Sequence, residues 1–286
     1  MTTGSDITAP HLPDHDLIVV SSSAGKDSQA TLDVVVEAAR VVDVLDRVVV
    51  VHADLGDNEW PGVLDLAREH ADHYALRFEV AAREREDGAV DTILDRVERR
   101  GMWPDAARRW CTSDSKRGPI RKVMTRLVSE LRDSGRVVGR PVRLLNVMGY
   151  RAEESPARRR RIPYSPNPAA SNGRREVHDW YPIHDWTVQQ VWERIAIAGT
   201  RPHWAYQAGM TRLSCRFCVL ASRADLICSA QLNPDLAQRY VDVEARIGHR
   251  FRKDLAIAEV VAAANAPTPE QSGLQQLNLF EEEATP

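Results

Sequence analysis

The stretch Ser21-Ser22-Ser23-Ala24-Gly25-Lys26-Asp27-Ser28 lies between two segments of different periodicity. Before it, Asp16-Leu17-Ile18-Val19-Val20 is a short β-branched run that reads as a buried strand. After it, Ala30, Val34, Ala38 and Val41 recur at the three- and four-residue spacing of a helix face. A loop of small residues therefore leads from a strand into a helix N-terminus. The first N–H groups of a helix lack intrahelical partners and its dipole is positive at that end, so an oxyanion binds there readily. Small side chains admit a phosphate to the backbone, Lys26 adds charge, and the Ser23 and Ser28 hydroxyls add donors. The plainer reading is an ordinary turn capped by Asp27 or Ser28.

Outward from this loop, Arg47-Val48-Val49-Val50-Val51-His52 reads as a second strand ending in Ala53-Asp54-Leu55-Gly56. Strand, helix, strand is a parallel unit whose ligand site lies at the carboxyl ends of the strands. Asp54 falls at that edge, where a carboxylate holds Mg²⁺ or a ribose hydroxyl, or simply caps the next helix. Residues 59–74 and 87–100 carry helical spacing, with a strand at Arg77-Phe78-Glu79-Val80 between them. A fourth strand, Arg143 to Met148, opens into Gly149-Tyr150-Arg151-Ala152-Glu153-Glu154-Ser155. The planar fork of Arg151 suits phosphate or sulfate. The alternation of strands and helices predicts an α/β fold with a doubly wound, mainly parallel sheet.

Residues 156–178 carry four prolines, Arg158 to Arg161, Arg174 and Arg175, and read as a long basic loop that orders on a polyanion. Tyr164, Trp180 and Tyr181 are candidates to stack on bases, a solvated loop with core-packed aromatics being the alternative. A helix begins near Trp186 with Thr187 as its cap, and further helices are expected over Pro234 to Ile247 and Lys253 to Ala264. The chain thus divides into a flexible leader (1–14), a nucleotide-binding α/β domain (15–200), a helical cysteine-bearing region (201–265) and a disordered acidic tail (266–286). In that tail, Leu277-Asn278-Leu279-Phe280 is an apolar patch able to dock on the body or on a partner.

Of the 286 residues, 43% are hydrophobic, enough for a packed core, and the net charge of −3 gives no global pull toward nucleic acid. The polar opening residues do not resemble a secretion signal, and no apolar run approaches membrane-spanning length, so a cytoplasmic location without membrane partners is expected. Four cysteines in a reducing compartment read as metal ligands or plain thiols. Cys111 lies among Arg108, Arg109, Lys116 and Arg117, cations that favour a thiolate. Cys215-x-x-Cys218 lets two thiolates reach one metal, and Cys111 and Cys228 complete a set of four. A Zn²⁺ site usually offers two close pairs, whereas an iron–sulfur cluster accepts scattered ligands; Zn²⁺ and free thiols stay open.

The opening loop is not the Walker type, because Asp27 rather than Ser or Thr follows Lys26. Ser-Ala-Gly-Lys-Asp-Ser resembles instead the PP-loop of ATP pyrophosphatases, with Ala24 where a glycine is usual. Asp54-Leu55-Gly56 and Gly149 to Ser155 resemble motifs of phosphoadenylyl-sulfate reductases, with Leu55 in place of a usual Thr. The resemblance implies a fold of the adenine-nucleotide hydrolase type. It also implies ATP with Mg²⁺ as cofactors, gripped by Ser22, Ser23, Ala24, Gly25, Lys26, Asp27, Ser28, His52, Asp54 and Gly149. Lys26, Asp27 and Arg151 would then be the catalytic groups. Relatives that reduce adenylyl sulfate hold a 4Fe–4S cluster, which here implies Cys111, Cys215, Cys218 and Cys228 as ligands.

Those reductases also carry a nucleophilic cysteine near the C-terminus, and no cysteine follows Cys228 here. The chain is therefore more similar to the ATP pyrophosphatases of DNA phosphorothioation. That likeness implies adenylation of an acceptor for sulfur incorporation, a cysteine desulfurase as sulfur donor, and DNA or another nucleic acid held by the Arg158–Arg161 loop. A sulfonucleotide reductase, a tRNA thiolation enzyme and a non-catalytic nucleotide-sensing module remain alternatives, and a homo-oligomer is left open.

Overall fold

A computed structural model describes residues 9–266. The first eight residues of the expected leader, and the tail from 267 onward with its Leu277–Phe280 patch, lie outside the described residues. The remainder of the leader is packed: Leu12 is buried, and Arg47 donates to the carbonyls of Pro13 and His15.

The strands are β1 (Leu17–Ser22), β2 (Val48–Asp54), β3 (Arg77–Ala82), β4 (Val142–Val147), β5 (Tyr164–Pro166) and β6 (Arg175–Trp180). They form one six-stranded sheet in the order β3-β2-β1-β4-β6-β5, parallel except where β5 runs antiparallel to β6. The helices are α1 (Lys26–Val41), α2 (Val63–His73), α3 (Ile93–Arg100), α4 (Trp110–Thr112), α5 (Gly118–Asp133), α6 (Pro156–Arg159), α7 (Val188–Ala198), α8 (Arg223–Leu232), α9 (Pro234–Ile247) and α10 (Ile257–Ala264). A π-helical segment, Ser113–Arg117, joins α4 to α5.

Alternation along the strands decides the two faces. Ile18, Val20, Val48, Val50, Leu145 and Val147 pack with Leu32, Val35, Val36 and Ala39 of α1. Leu17, Val19, Val49, Val51, Val142 and Leu144 pack on the other face against Val123, Met124, Leu127 and Val128 of α5. Each buried Val, Leu, Ile or Met side chain among them contributes about 1.5–3 kcal/mol. The expected doubly wound α/β sheet is therefore present. A third core joins Leu55, Leu94, Val97, Trp103 and Trp110 to Leu236, Tyr240, Phe251 and Val260 of the C-terminal helices.

Several expectations are corrected. Residues 156–178 are not one long loop: they contain α6, β5 and the start of β6. Trp180 and Tyr181 are buried and cannot stack on bases, and Tyr164 stacks on His178 with ring centroids 5.3 Å apart. The helix expected over 87–100 begins only at Ile93, because Thr92 and Asp95 form a capping box there. The helix expected from Glu59 begins at Val63, after Gly62 in the left-handed region (φ 85°). That expected from Lys253 begins at Ile257. Helix α8, which carries Cys228, was not expected.

Candidate functional site

The strand order reverses between β1 and β4, since β1 leads outward through β2 to β3 and the chain then returns on the other side. In an open parallel sheet the crevice at such a point, beyond the carboxyl ends of the strands, takes the ligand. The Ser23–Ser28 loop leaves β1 here and Gly149–Arg151 leaves β4 beside it.

The helix terminus carries no cap from its own N-cap residue. Gly25 is the N-cap residue, extended at φ −79° and ψ 155°, and neither Asp27 nor Ser28 closes the first turn. Ser28 braces the loop instead: its hydroxyl donates to the Gly25 carbonyl at 2.9 Å and accepts the Ser23 N–H at 3.1 Å. Ser22 Oγ accepts the Ala24 N–H at 3.3 Å. Ala24 is in the left-handed region (φ 52°), the conformation a glycine adopts without strain. Its methyl is buried with Trp60, Val63, Ala205 and Met210.

Asp27 stands between two cations. Its carboxylate lies 3.3 Å from Lys26 Nζ and accepts Arg151 Nε at 2.5 Å. Arg151 also pairs with Glu153 and donates to the Trp186 carbonyl, so this buried guanidinium ties the ends of β1 and β4 together. Lys26 is 3% exposed, and its ammonium donates to the Thr211 carbonyl at 3.3 Å. Burial lowers its pKa, against which Asp27 acts, while Arg151 and Arg212 lower it further.

Gly149 permits a close approach. A Cβ there would stand 2.7 Å from the Asp27 carbonyl oxygen and 2.9 Å from Thr31 Oγ1. His52 lies beneath the loop, fully enclosed, with Nδ1 3.0 Å from the Ser22 carbonyl and Nε2 3.0 Å from the Glu59 carboxylate. Asp54 accepts the Gly56 N–H at 2.8 Å, which fixes the turn after β2 and not the next helix.

Two groups that sequence reading did not single out cover or brace this site. Tyr206 accepts the Lys26 N–H at 2.9 Å, and the Leu213 carbonyl lies 3.4 Å from where a Cβ on Gly25 would be. The segment from Tyr206 to Leu213 thus sits on the loop. Asn58 binds the Tyr240 hydroxyl at 2.6 Å and accepts the N–H of Ile93 at 2.7 Å, while its own carbonyl takes the Arg216 N–H. It fixes the cysteine-bearing turn to α3 and α9. The only local signal for Asn58 was its place two residues after a strand-end glycine.

The cysteines do not form one group. Cys111 and Cys215 pack against the core of Trp110, Phe217 and Tyr240, and the charges of Cys215, Glu59, Cys218 and Cys111 all raise the pKa of Lys116. Cys228 is elsewhere, on α8, where its thiol donates to the Ala208 carbonyl and packs with the Trp60 cluster. Burial pushes Cys215 up to about 12 and also raises Cys111, outweighing Lys116, so Cys111 is a partly buried thiol beside Trp110. Among the described residues no three His, Cys, Asp or Glu side chains stand close enough to share a metal ion. A cluster held by all four cysteines does not fit this arrangement, because Cys228 belongs to a different packing group.

Arg158 pairs with Glu154 and lies over the Tyr150 ring, 4.3 Å from its centroid, while Arg159, Arg160 and Arg161 are exposed. No helix among the described residues is long and apolar enough to cross a membrane.

Comparison with known proteins agrees with this architecture. Two curated relatives are uncharacterized proteins: one of Methanocaldococcus jannaschii, 25% identical over 232 residues (81% of this chain and 48% of that protein), and one of Escherichia phage 186, 26% identical over 134 residues (47% and 36%). The chain spans half or less of the length of these relatives. Among solved structures, a phosphoadenylyl-sulfate reductase from Candida auris in a phosphate complex is 14% identical with a TM-score of 0.46, covering 72% of this chain and 84% of that one. The FMN adenylyltransferase of Candida glabrata with FMN and an ATP analogue is 13% identical with a TM-score of 0.44, covering 73% and 60%. A family model for the phosphoadenosine phosphosulfate reductase domain matches residues 17–221, from the first residue of β1 to just short of α8, and the chain belongs to that family.

Proposed function

We propose that this chain is an ATP pyrophosphatase that adenylates an oxygen acceptor. The observation that carries the reading is the loop geometry: a helix terminus left uncapped by its own N-cap residue, at the switch point of the sheet, with Gly149 and Arg151 closing on it from β4. The diphosphate of ATP would take the N–H groups of this terminus, in competition with the Tyr206 hydroxyl. Lys26 would exchange its contact with the Thr211 carbonyl for a phosphate oxygen. Asp54, at the end of β2, would carry Mg²⁺ through its free lone pairs and substrate oxygens.

The acceptor oxygen attacks the α-phosphorus. The bond from that phosphorus to the α–β bridging oxygen breaks, and pyrophosphate leaves with the electron pair. Positioning and charge neutralisation supply the rate, and Asp27 with Arg151 holds the loop while they do so. The product is an adenylate whose oxygen has become a good leaving group. A persulfide from a cysteine desulfurase then displaces AMP to leave a donor–S–S–acceptor disulfide, and a further thiol attacks the donor's sulfur, forming a disulfide with the donor and releasing the second sulfur, with the electron pair, on the acceptor. The exposed Arg159–Arg161 run is the surface offered to a nucleic-acid acceptor, which we take to be DNA destined for backbone phosphorothioation.

Pyrophosphate release tests the pocket: Lys26→Ala and Asp27→Ala should abolish it, and unchanged turnover would refute the assignment. Mass spectrometry of host DNA and tRNA tests the acceptor. Release of sulfite from a labelled sulfonucleotide would mark reduction instead.

A further inference from the structure

A second basic site lies two strands away from the loop. Arg83, just after β3, and Arg96, Arg99 and Arg100 of α3 line one cavity of about 260 Å³. Two carboxylates face these four guanidinium groups. Asp91 pairs with Arg83, Arg96 and Arg99, and Asp114 pairs with Arg96 and Arg100. Four positive charges against two negative ones leave an excess of two. The Arg96 side chain is only 6% exposed, yet its Nε has no hydrogen-bond partner. The indole N–H of Trp110, whose ring lies under Arg96 and Arg100 at 5.4 and 4.8 Å, is also buried without a partner. A network built only to hold α3 in place would satisfy its most buried donor.

We propose that the Arg83–Arg96–Arg99–Arg100 cavity is a binding site for a phosphate-class oxyanion, separate from the loop after β1. The excess of two charges matches a phosphate dianion. Guanidinium forks present paired donors in the geometry such oxygens accept. The rim is open, since Arg83, Arg99 and Arg100 are 46%, 56% and 43% exposed, while Arg96 is the buried wall, backed by the Trp110 ring beneath it. The anion arrives either as free phosphate, the full dianion, or as a nucleic-acid backbone phosphodiester, which brings one charge and two non-bridging oxygens to the same guanidinium groups.

Calorimetric titration with inorganic phosphate at low ionic strength tests the site. It is done on the full chain, on Lys26→Ala, and on the double variant Arg99→Gln/Arg100→Gln. The double variant removes only rim charges and leaves Asp91 and Asp114 paired through Arg83 and Arg96. Binding should persist in Lys26→Ala and weaken about tenfold or more in the double variant, as expected for the loss of charged hydrogen bonds. Arg83→Gln, on a different element, should reproduce the loss and guards against misfolding of the double variant. Competition by a short single-stranded oligonucleotide assigns the anion to a backbone; phosphate binding without competition assigns it to free phosphate. Phosphate binding equal in the natural chain and both rim variants, or none in the natural chain, would overturn the proposal. Because the readout survives loss of Lys26, failure here and failure of the adenylation reading are distinguishable.

Discussion

The hydroxyl of Tyr206 accepts the backbone N–H of Lys26 at 2.9 Å, bridging two residues separated by 180 positions. It occupies a donor at the helix terminus that a phosphate oxygen would use. Burial raises the Tyr206 pKa to about 12, so the group on the loop is a neutral hydroxyl at neutral pH. Removing it should free the donor. Tyr206→Phe is expected to tighten binding of an ATP analogue by up to about tenfold, the worth of one net hydrogen bond. A weaker complex, measured by calorimetry, would mean that the hydroxyl supports the loop and does not compete for it.

Gly149 makes a prediction of the opposite sign. A methyl at this position meets the Asp27 carbonyl at 2.7 Å, and a backbone atom within the first turn of α1 cannot swing aside as a side chain end can. Gly149→Ala should destabilise the fold by about 1–3 kcal/mol and displace the loop from β4. The melting temperature should fall by several degrees, and pyrophosphate release should fall more than the remaining folded fraction explains.

Arg151 separates a structural clamp from a ligand. Its guanidinium contacts Asp27, Glu153 and the Trp186 carbonyl while almost wholly buried. Arg151→Met keeps the length but leaves Asp27 with Lys26 alone, and the loss from breaking a buried pair is about 3–5 kcal/mol. Urea midpoints should show that loss in Arg151→Met and a smaller one in Arg151→Lys, since one ammonium cannot serve three directions. Unchanged midpoints with a raised KM would instead make Arg151 a binding group only.

Much of this site was legible because its strands are buried on both faces. Runs such as Leu17-Ile18-Val19-Val20 and Val48-Val49-Val50-Val51 leave no competing periodicity, and the loop between strand and helix carries its own turn chemistry. Strand β6 was hidden for the converse reason. Arg175-Glu176-Val177-His178-Asp179-Trp180 looks polar, and its inward Asp179 is tolerated because Asn146, Asn167 and the Tyr181 hydroxyl donate to it. Helix α8 was hidden because half of its buried face is polar, Asp225 and Ser229 beside Leu226 and Ala230, so no apolar stripe marks it. Tyr206 and Leu213 reach the loop through tertiary contacts, so nothing in the local sequence marks them.

Acid should loosen the segment that covers the loop. His203 Nδ1 accepts the Ala205 N–H at 3.2 Å, so the proton sits on Nε2, which donates to the Pro61 carbonyl. His70 Nε2 donates to the Arg201 carbonyl at 2.8 Å. Burial lowers the pKa of both histidines below the ordinary value of about 6.5, more than those carbonyl bonds raise it. In the window between the lowered folded value and ~6.5 the unfolded chain binds more protons, so stability is full above ~6.5 and is lost as pH falls below it. Thermal melts from neutral to mildly acidic pH should show this loss, and His203→Gln should reduce its size. A profile flat across that range would contradict the lowering of both histidines by burial.

The separation of the thiols yields a prediction that does not depend on turnover. Cys111, Cys215 and Cys218 share Lys116 as a neighbour, whereas Cys228 is bonded to Ala208 within another packing group. Iron and zinc content, measured on anaerobically purified protein, should therefore be unaffected by Cys228→Ser whatever metal the natural chain carries. Cys215→Ser should lower that metal content, because Cys215-x-x-Cys218 is the spacing at which two thiolates reach one ion. Coordinating a metal would reverse the direction of its titration, since a bound cation takes the thiolate form that burial alone disfavours. Loss of metal in Cys228→Ser would mean that α8 moves by enough to break its bond to Ala208 and bring the fourth thiol to the other three.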